Sequence, residues 1–406
     1  SAFAGVLIAV VAGLALLGAW ELIAGLESRG AEFVALVLLA TAGLHIMAMS
    51  ANLILLFIGL ETASISLYVV AGFTREQPNS DEAAMKYFLL GSFASAVFLY
   101  GVALLFAGFG TTNLYGDGIA DRWITIGPQI VLEPAIVLAG LAMVVVGLGF
   151  KVSAAPFHQW APDVYQGAPG GAVPLMSAGV KVAGFAAIAR VLVGGFDPHF
   201  LDRWVPAVAL LATLSVVVGT VLAIAQTDLK RMLAYSGVAH AGFLLTALVG
   251  GEAGVPAMWF YLATYVFALL GAFTVAAVVS GPRGGASAIE EYTGLARRSP
   301  VLAGVLALFM LSMGGIPFTA GFVGKLGVFA AAIDADYLWL AIVGLVVAVA
   351  GLFFYLRVIV VMYFHPPVLA EGPGTATAQG IELPNSTQIV LGATAAVTLV
   401  FGLIPW

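Results

Sequence analysis

The 406-residue chain lacks cysteine, has only five histidines, and carries few charges, since Asp, Glu, Lys and Arg make up 9% of it. Without cysteine it forms no disulfide and binds neither zinc nor an iron–sulfur cluster through thiolates. The scattered histidines argue against a haem or another metal centre. So little charge excludes an ordinary soluble domain, and the net charge of −6, spread over loops, indicates no nucleic-acid partner.

Hydrophobic residues instead make up 62% of the chain and occur in long runs. A helix needs about 20 apolar residues to cross a bilayer, so we predict an all-α polytopic membrane protein with twelve crossings. Because residue 1 is Ser, we expect the native start to lie upstream. The predicted crossings are 2–24, 31–49, 52–72, 82–109, 135–165, 169–193, 205–226, 229–250, 254–280, 300–332, 337–364 and 387–405.

The basic residues between these crossings are unequally divided between the two sides. Nine fall on one side: Arg29, Arg75, Lys86, Lys230, Arg231, Arg283, Arg297, Arg298 and Arg357. Three fall on the other: Arg122, Arg190 and Arg203. Cytoplasmic loops carry the excess of Lys and Arg, so we predict that both termini of this chain lie on the periplasmic side. We interpret Lys230 and Arg231 as positive-inside anchors.

Two prolines interrupt crossings at corresponding places in the chain. Pro156 and Pro317 each remove a backbone donor and should break the fourth helix of a five-helix set. Because five is odd, the second set runs inverted relative to the first, an arrangement typical of ion-translocating proteins. The alternative is two unrelated prolines. The predicted parts are an N-terminal peripheral helix 1–30, a first inverted repeat 31–194, a second repeat 205–365 and a C-terminal crossing 387–406.

Glu61 and Lys151 are ionisable residues inside apolar crossings. Such residues are costly at membrane depth and indicate function by default. Lys151 precedes the break at Pro156 and is the candidate partner of Glu61, because a nearby carboxylate favours the charged form of a buried lysine. The alternative is a static pair that only fixes helix packing.

Three further residues extend this series. Lys181 is a relay candidate that could instead extend to the membrane interface, and Lys325 follows the second break. His240 lies deep within a crossing and titrates in a range suited to a relay, although a buried histidine bonded to a carbonyl is equally compatible with the sequence.

These residues lie in motifs that resemble the antiporter-like subunits of respiratory complex I and of multi-subunit cation/proton antiporters. The main motif is GFKVSAAPFHQWAPDVYQGAP at 149–169, in which DVYQG at 163–167 is typical of the N-type subunits of NADH:quinone oxidoreductase. The other matching stretches are FIGLETASISLYVV at 57–70, AAMKYFLLGSFASAVFLYG at 83–101, DLKRMLAYSGVAHAGF at 228–243 and GGIPFTAGFVGK at 314–325.

The resemblance implies a proton relay in which Glu61 pairs with Lys151, Lys181 connects, His240 is central and Lys325 is on the exit side. A lysine at 325 fits the N and L types, whereas the M type has glutamate. The chain departs from the family at 170–172, where Gly-Gly-Ala replaces the usual Thr-Pro-Val. The family has about fourteen helices, so two are expected upstream.

The resemblance further implies a bacterial inner-membrane protein surrounded by lipid and by M-type and small K-type subunits. FMN, iron–sulfur clusters and quinone are expected in partner subunits, since this chain has no P-loop, Rossmann or zinc motif. Two other functions stay open: a subunit of a multi-subunit Na⁺/H⁺ antiporter, and a scaffold that retains the fold without pumping.

Overall fold

The computed structural model describes residues 2–74, 77–121, 134–196, 200–281, 287–366 and 383–404. Within these ranges the elements are helices, which confirms the predicted all-α class. The principal helices are α1 (Ala2–Gly18), α2 (Gly30–Met49), α3 (Leu53–Ala71), α4 (Pro78–Phe109), α5 (Pro134–Lys151), α6 (Trp160–Gly167), α7 (Val180–Ala189), α8 (Leu201–Ile224), α9 (Leu229–Leu248), α10 (Val255–Ser280), α11 (Pro300–Gly314), α12 (Ala320–Asp334), α13 (Leu338–Phe364) and α14 (Asn385–Leu403).

Eight helices of the described part are long and apolar enough to cross a membrane. The crossings predicted at 135–165 and 300–332 are instead each built from two shorter helices, α5 with α6 and α11 with α12. Each predicted break is therefore present, between Lys151 and Trp160 and between Gly314 and Ala320. Nearly all residues of helix α9 are buried, including its polar ones.

Two helix pairs have the same close packing in the two halves of the chain. A Cβ added to Gly43 of α2 would lie 2.4 Å from the Ala63 backbone nitrogen of α3. A Cβ added to Gly219 of α8 would lie 2.4 Å from the Ala239 backbone nitrogen of α9. The two pairs have the same sequence separation. Only glycine permits so close a backbone contact, so the α2–α3 and α8–α9 hairpins are structural counterparts.

The second helix of each hairpin also begins in the same way. The Asn52 side chain caps α3 by accepting from the Ile54 and Leu55 backbone amides. The Asp228 side chain caps α9 by accepting from the Arg231 amide. Each cap residue forms a short antiparallel bridge with the loop that follows the third helix of its half. Side-chain acceptors at this position satisfy backbone donors that the helix leaves free.

Helix α7, which carries Lys181, lies at the centre of the bundle. A π-helical turn adjoins each end of this helix, Leu175–Gly179 before it and Arg190–Gly194 after it. The sequence pattern did not predict these turns. The chain approaches α7 through Gly170 and Gly171, whose added Cβ atoms would lie 3.0 Å from Ala277 and 2.9 Å from Ala19. The departure from the family pattern at 170–172 thus coincides with tight packing against α10 and the end of α1.

Candidate functional site

Glu61 and Lys151 are held by different hydroxyl groups, those of Ser95 and Ser64, which line one small cavity. Lys151 Nζ donates to Ser64 Oγ at 2.7 Å, and Glu61 accepts a short hydrogen bond from Ser95 Oγ. Both serines and Lys151 line a cavity of about 10 Å³, which is room for about one water. Among the described residues no ion pair joins the two charges directly, although Glu61 acts electrostatically on Lys151.

Lys181 lies at the gap between α5 and α6, the segment that contains Pro156. Helix α5 ends at Lys151, so the carbonyl of the next residue, Val152, has no helical amide donor. Lys181 Nζ donates to this carbonyl at 2.8 Å and to the Gly237 carbonyl of α9 at 2.9 Å. The helix break next to Lys151 therefore positions Lys181. The Lys181 side chain donates to the Val152 carbonyl the hydrogen bond that a helical amide would otherwise donate.

Lys325 is held in the same way at the second break. Helix α11 ends at Gly314, where Gly315 adopts a left-handed conformation, so the last carbonyls of the helix have no helical donor. Lys325 Nζ donates to the Met313 carbonyl at 2.9 Å and to the Gly314 carbonyl at 2.9 Å. The two repeats differ in which segment supplies the lysine. Lys325 comes from the second half of its own broken helix, whereas Lys181 comes from the helix after the break.

His240 is enclosed by tyrosines from α10 and α13. Its Nδ1 lies 2.7 Å from the Tyr261 hydroxyl and its Nε2 lies 3.1 Å from the Tyr355 hydroxyl. The ring stacks on Tyr265 with centroids 4.1 Å apart. Both ring nitrogens thus have hydroxyl partners, and the alternative of a histidine bonded to a carbonyl does not describe this structure.

His240 lies between the two anchored lysines. Lys181 bonds the carbonyl of Gly237, one helical turn before the histidine. Lys325 Nζ lies 5.0 Å from the ring centroid of Phe243, one turn after it. Both lysines act electrostatically on the imidazole. The structure therefore arranges the predicted site residues as one series, in the order Glu61, Lys151, Lys181, His240 and Lys325, in which Glu61 is partly buried and the other four are buried.

Sequence reasoning missed the hydroxyl groups of this series. They are Ser64, Ser95, Tyr261, Tyr265 and Tyr355. The spacing of Ser64 and Tyr265 provided a weak signal, since each lies three or four residues from another polar residue on its helix. Which polar groups meet across different helices is not encoded in any single helix, so the sequence pattern alone could not identify these partners.

A separate charged network lies at one end of the bundle. Asp163 of α6, in the DVYQG motif, accepts from Lys86 Nζ at 2.6 Å and closely from Arg231. Arg231 also donates to the Gln226 side chain, whose backbone carbonyl accepts from Arg357. This end therefore gathers basic residues predicted for one side, whereas Arg190, predicted for the other, bonds the Ala48 carbonyl at the end of α2.

The series of buried groups suits the transfer of protons. Every side chain of this series can gain or lose a proton or orient a water. The cavity beside Lys151 has room for about one water. Within the described ranges no cluster of three or more His, Asp or Glu side chains could hold a metal ion.

Comparison with known proteins identifies relatives over nearly the whole chain. A family model described as "NADH:quinone oxidoreductase/Mrp antiporter, TM" matches residues 50–351. A NADH-quinone oxidoreductase subunit N 1 of Solibacter usitatus is 41% identical over 404 residues, covering 99% of this chain and 80% of that protein. A subunit N of Myxococcus xanthus is 40% identical and covers 100% of this chain and 82% of that protein.

Two solved structures have the same fold. A chain of respiratory complex I from Thermus thermophilus with bound aureothin superposes with a TM-score of 0.80 at 38% identity, covering 98% of this chain and 84% of that chain. A chain of the Mrp complex from Dietzia sp. DQ12-45-1b superposes with a TM-score of 0.84 at 23% identity, covering 99% of this chain and 80% of that chain. At that identity the second likeness concerns the fold alone.

Proposed function

The chain belongs to the NADH:quinone oxidoreductase/Mrp antiporter membrane family as an N-type subunit of bacterial complex I, and we propose that it translocates protons through the series from Glu61 to Lys325. The observation that carries this assignment of residues is the anchoring of Lys181 and Lys325 on free carbonyls at the two helix breaks that contain Pro156 and Pro317. A cation that bonds a bare carbonyl has a defined position and can exchange its proton with a neighbouring water.

The first part of the path consists of Glu61 and Lys151, which communicate through the water-sized cavity between Ser95 and Ser64. A charged Glu61 favours the ammonium form of Lys151, and protonation of Glu61 removes that effect. Moving one charge against 100 mV costs about 2.3 kcal/mol, which corresponds to a change of roughly two units in a pKa. The pair therefore serves as a switch and not as a static packing contact.

The second part runs from Lys181 through His240 to Lys325. Protons pass between these groups over water and the hydroxyls of Tyr261 and Tyr355, which contact both ring nitrogens of His240. The tyrosines fix the orientation of the ring, so that the imidazole can accept a proton on one side and release it on the other.

We further propose the setting of the subunit in the membrane. The network of Lys86, Asp163, Arg231 and Arg357 lies at the cytoplasmic surface, so both ends of this chain face the periplasm. The neighbours are M-type and K-type membrane subunits and lipid. Quinone, FMN and iron–sulfur clusters reside in other subunits, and the energy of their redox reaction reaches this path through the complex. The two matched hairpins support division into repeats 31–194 and 205–365.

Inside-out membrane vesicles that carry the intact complex test this function. We expect Lys151→Met to abolish most NADH-driven acidification while assembly stays normal, because the central titratable group of the first repeat is lost. The control is Arg203→Gln, which removes an exposed cation at the start of α8. Repeating the assay in sodium-free buffer separates proton transport from sodium/proton exchange. Normal acidification by Lys151→Met would refute the proposal, and a requirement for sodium would favour an antiporter.

A further inference from the structure

Lys230 is a buried cation that the path from Glu61 to Lys325 does not use. It is the second residue of α9, only 1% exposed, and its Nζ has no hydrogen-bond partner among the described residues. An unpaired buried ammonium is costly. A lysine that served only to anchor the helix at the membrane surface would extend its ammonium group into solvent, and this one does not.

Two more buried polar atoms without partners lie in the same surroundings. Tyr292 faces Ser280 at the end of α10, but neither hydroxyl has a partner at hydrogen-bond geometry in the described part of the protein. Tyr292 and Lys230 both interact electrostatically with Asp228 and Glu291. Buried polar atoms without protein partners are normally satisfied by ordered water. Lys230 and Tyr292, which interact with the same two carboxylates, together with Ser280 beside Tyr292, therefore indicate a hydrated site.

The two carboxylates connect this site to the surface. Asp228 accepts from Ser287 Oγ at 2.6 Å and caps α9. Glu291 is exposed, in the short helical turn Ile289–Tyr292 between α10 and α11. Partial burial and the nearby Asp228 carboxylate raise the pKa of Glu291 above its ordinary value, against the opposing effect of Lys230. A carboxyl with a raised pKa at the surface holds a proton at a higher pH than an ordinary glutamate.

The first repeat has no such site at the corresponding place. The counterpart of Asp228 is Asn52, and the counterpart of Lys230 is Ile54, which is 47% exposed on the outside of the bundle. In an inverted repeat these two ends lie at opposite membrane surfaces. The site is therefore specific to the second repeat and to the end of the bundle where the basic residues collect.

We propose that Lys230, Ser280 and Tyr292 bind water and form a proton-uptake site that supplies the second half of the path. The inference rests on the proposed function. A proton leaves the Glu291 carboxyl for a bound water, and that water protonates a neutral Lys230 amine. The resulting ammonium releases its proton to water on the inner side and becomes neutral again. Lys230 and Gly237 lie on one face of α9, about 10 Å apart along its axis, and the Gly237 carbonyl binds Lys181.

The absence of cysteine from the chain allows hydration of this site to be measured directly. In broken membranes containing the intact complex, a small positively charged methanethiosulfonate reagent labels a cysteine only where water reaches it. We expect the nearly isosteric Ser280→Cys variant to be labelled, as detected by mass spectrometry of this subunit. Exposed Glu290→Cys is the positive control, and Val349→Cys, on the outer face at the middle of α13, is the negative one. An unlabelled Ser280→Cys beside a labelled Glu290→Cys would overturn the proposal.

Pumping provides the second measurement. Lys230→Gln and Lys230→Arg should each slow NADH-driven acidification roughly tenfold or more, because neither side chain can release a proton as lysine does. Glu291→Gln should slow it less, and the adjacent Glu290→Gln should leave it unchanged. Normal pumping by Lys230→Gln would refute the uptake role. If instead the Lys151 and Lys325 variants pump normally, the proposed path fails, while labelling of Ser280→Cys still reports on this site. If Lys230→Gln does not assemble, that labelling decides alone.

Discussion

Replacement of Pro156 by alanine tests whether the helix break acts through Lys181. Alanine removes the barrier to continuing α5 beyond Lys151, and in the continued helix its N–H would bond the Val152 carbonyl, the acceptor that Lys181 Nζ now contacts at 2.8 Å. The lysine would then retain only its bond of 2.9 Å to the Gly237 carbonyl. We expect Lys181 to leave its anchored position for most of the time, although the residue itself is unchanged.

The size of the effect follows from the bond that is lost. A hydrogen bond to a charged group contributes about 1.5–3 kcal/mol, and 1.4 kcal/mol corresponds to a factor of ten. The anchored population of Lys181 should therefore fall roughly 10- to 150-fold. Because the bond to Gly237 remains, we expect the lower part of that range, and coupled turnover should fall by about the same factor.

The assay is NADH:quinone turnover with NADH-driven acidification in membrane vesicles, at equal amounts of assembled complex. Pro206→Ala is the matched control, because this proline also lies inside a helix but is exposed near the start of α8. A double-mutant cycle with Lys181→Met isolates the coupling. If the proline acts through the lysine, Pro156→Ala should add little to the defect of Lys181→Met.

Two outcomes would refute this reasoning. Turnover and acidification at the level of the unchanged protein in Pro156→Ala would mean that the freed carbonyl does not position Lys181. Fully additive defects in the double mutant would mean that the proline acts elsewhere, for example by admitting water near Lys151. Pro317→Ala provides an independent repetition, because Lys325 contacts the Met313 carbonyl in the same way.

Four further predictions concern single side chains. Glu61→Ala should lower coupled turnover severalfold, because Lys151 loses the nearby negative charge. Glu61→Asp should have a milder effect if the charge matters more than the length of the side chain. Normal vesicle acidification by Glu61→Ala would contradict this role of Glu61. Lys325→Arg should assemble but lose most turnover, since guanidinium does not release protons; full activity would show that this residue acts only as a fixed charge. His240→Gln should cost less, roughly 2- to 10-fold, because glutamine can keep one of the two hydroxyl partners and loses one neutral hydrogen bond worth about 0.5–1.5 kcal/mol. Equal losses in His240→Gln and Lys325→Arg would argue against a bridging role for His240. Asp163→Asn should lower the thermal stability of the subunit in the complex more than Glu82→Gln does, because the Asp163 carboxylate binds two cations whereas Glu82 is mostly exposed; melting of the purified variants compares them.

The sequence by itself determined the class of the protein and the places where its helices break. Long apolar runs have few alternatives to transmembrane helices, because a bilayer leaves no water to satisfy a bare backbone. Proline inside such a run removes a donor whatever surrounds it. For these reasons the interruptions at Pro156 and Pro317 were predictable from local chemistry. The ionisable residues were equally visible, since each is isolated in apolar surroundings.

Only the tertiary structure decided which group meets which. Glu61 and Lys151 bond separate serines beside a small cavity, although each residue alone looks like the direct partner of the other. Lys181 reaches a carbonyl of a different helix, and His240 is held by tyrosines of α10 and α13. These contacts depend on the relative rotation and depth of several helices, which result from packing across the whole bundle.

The same distinction applies to Lys230. Its position beside Arg231 at the start of a crossing predicted an anchor at the membrane surface, whereas the structure buries it within electrostatic reach of Asp228 and Glu291. Sequence position determined the depth of this residue along its helix. The surroundings of its side chain depend on the segment 287–292, distant in sequence, which bridges the start of α9 through Ala288 and Asp228 and brings Glu291 within electrostatic reach of Lys230.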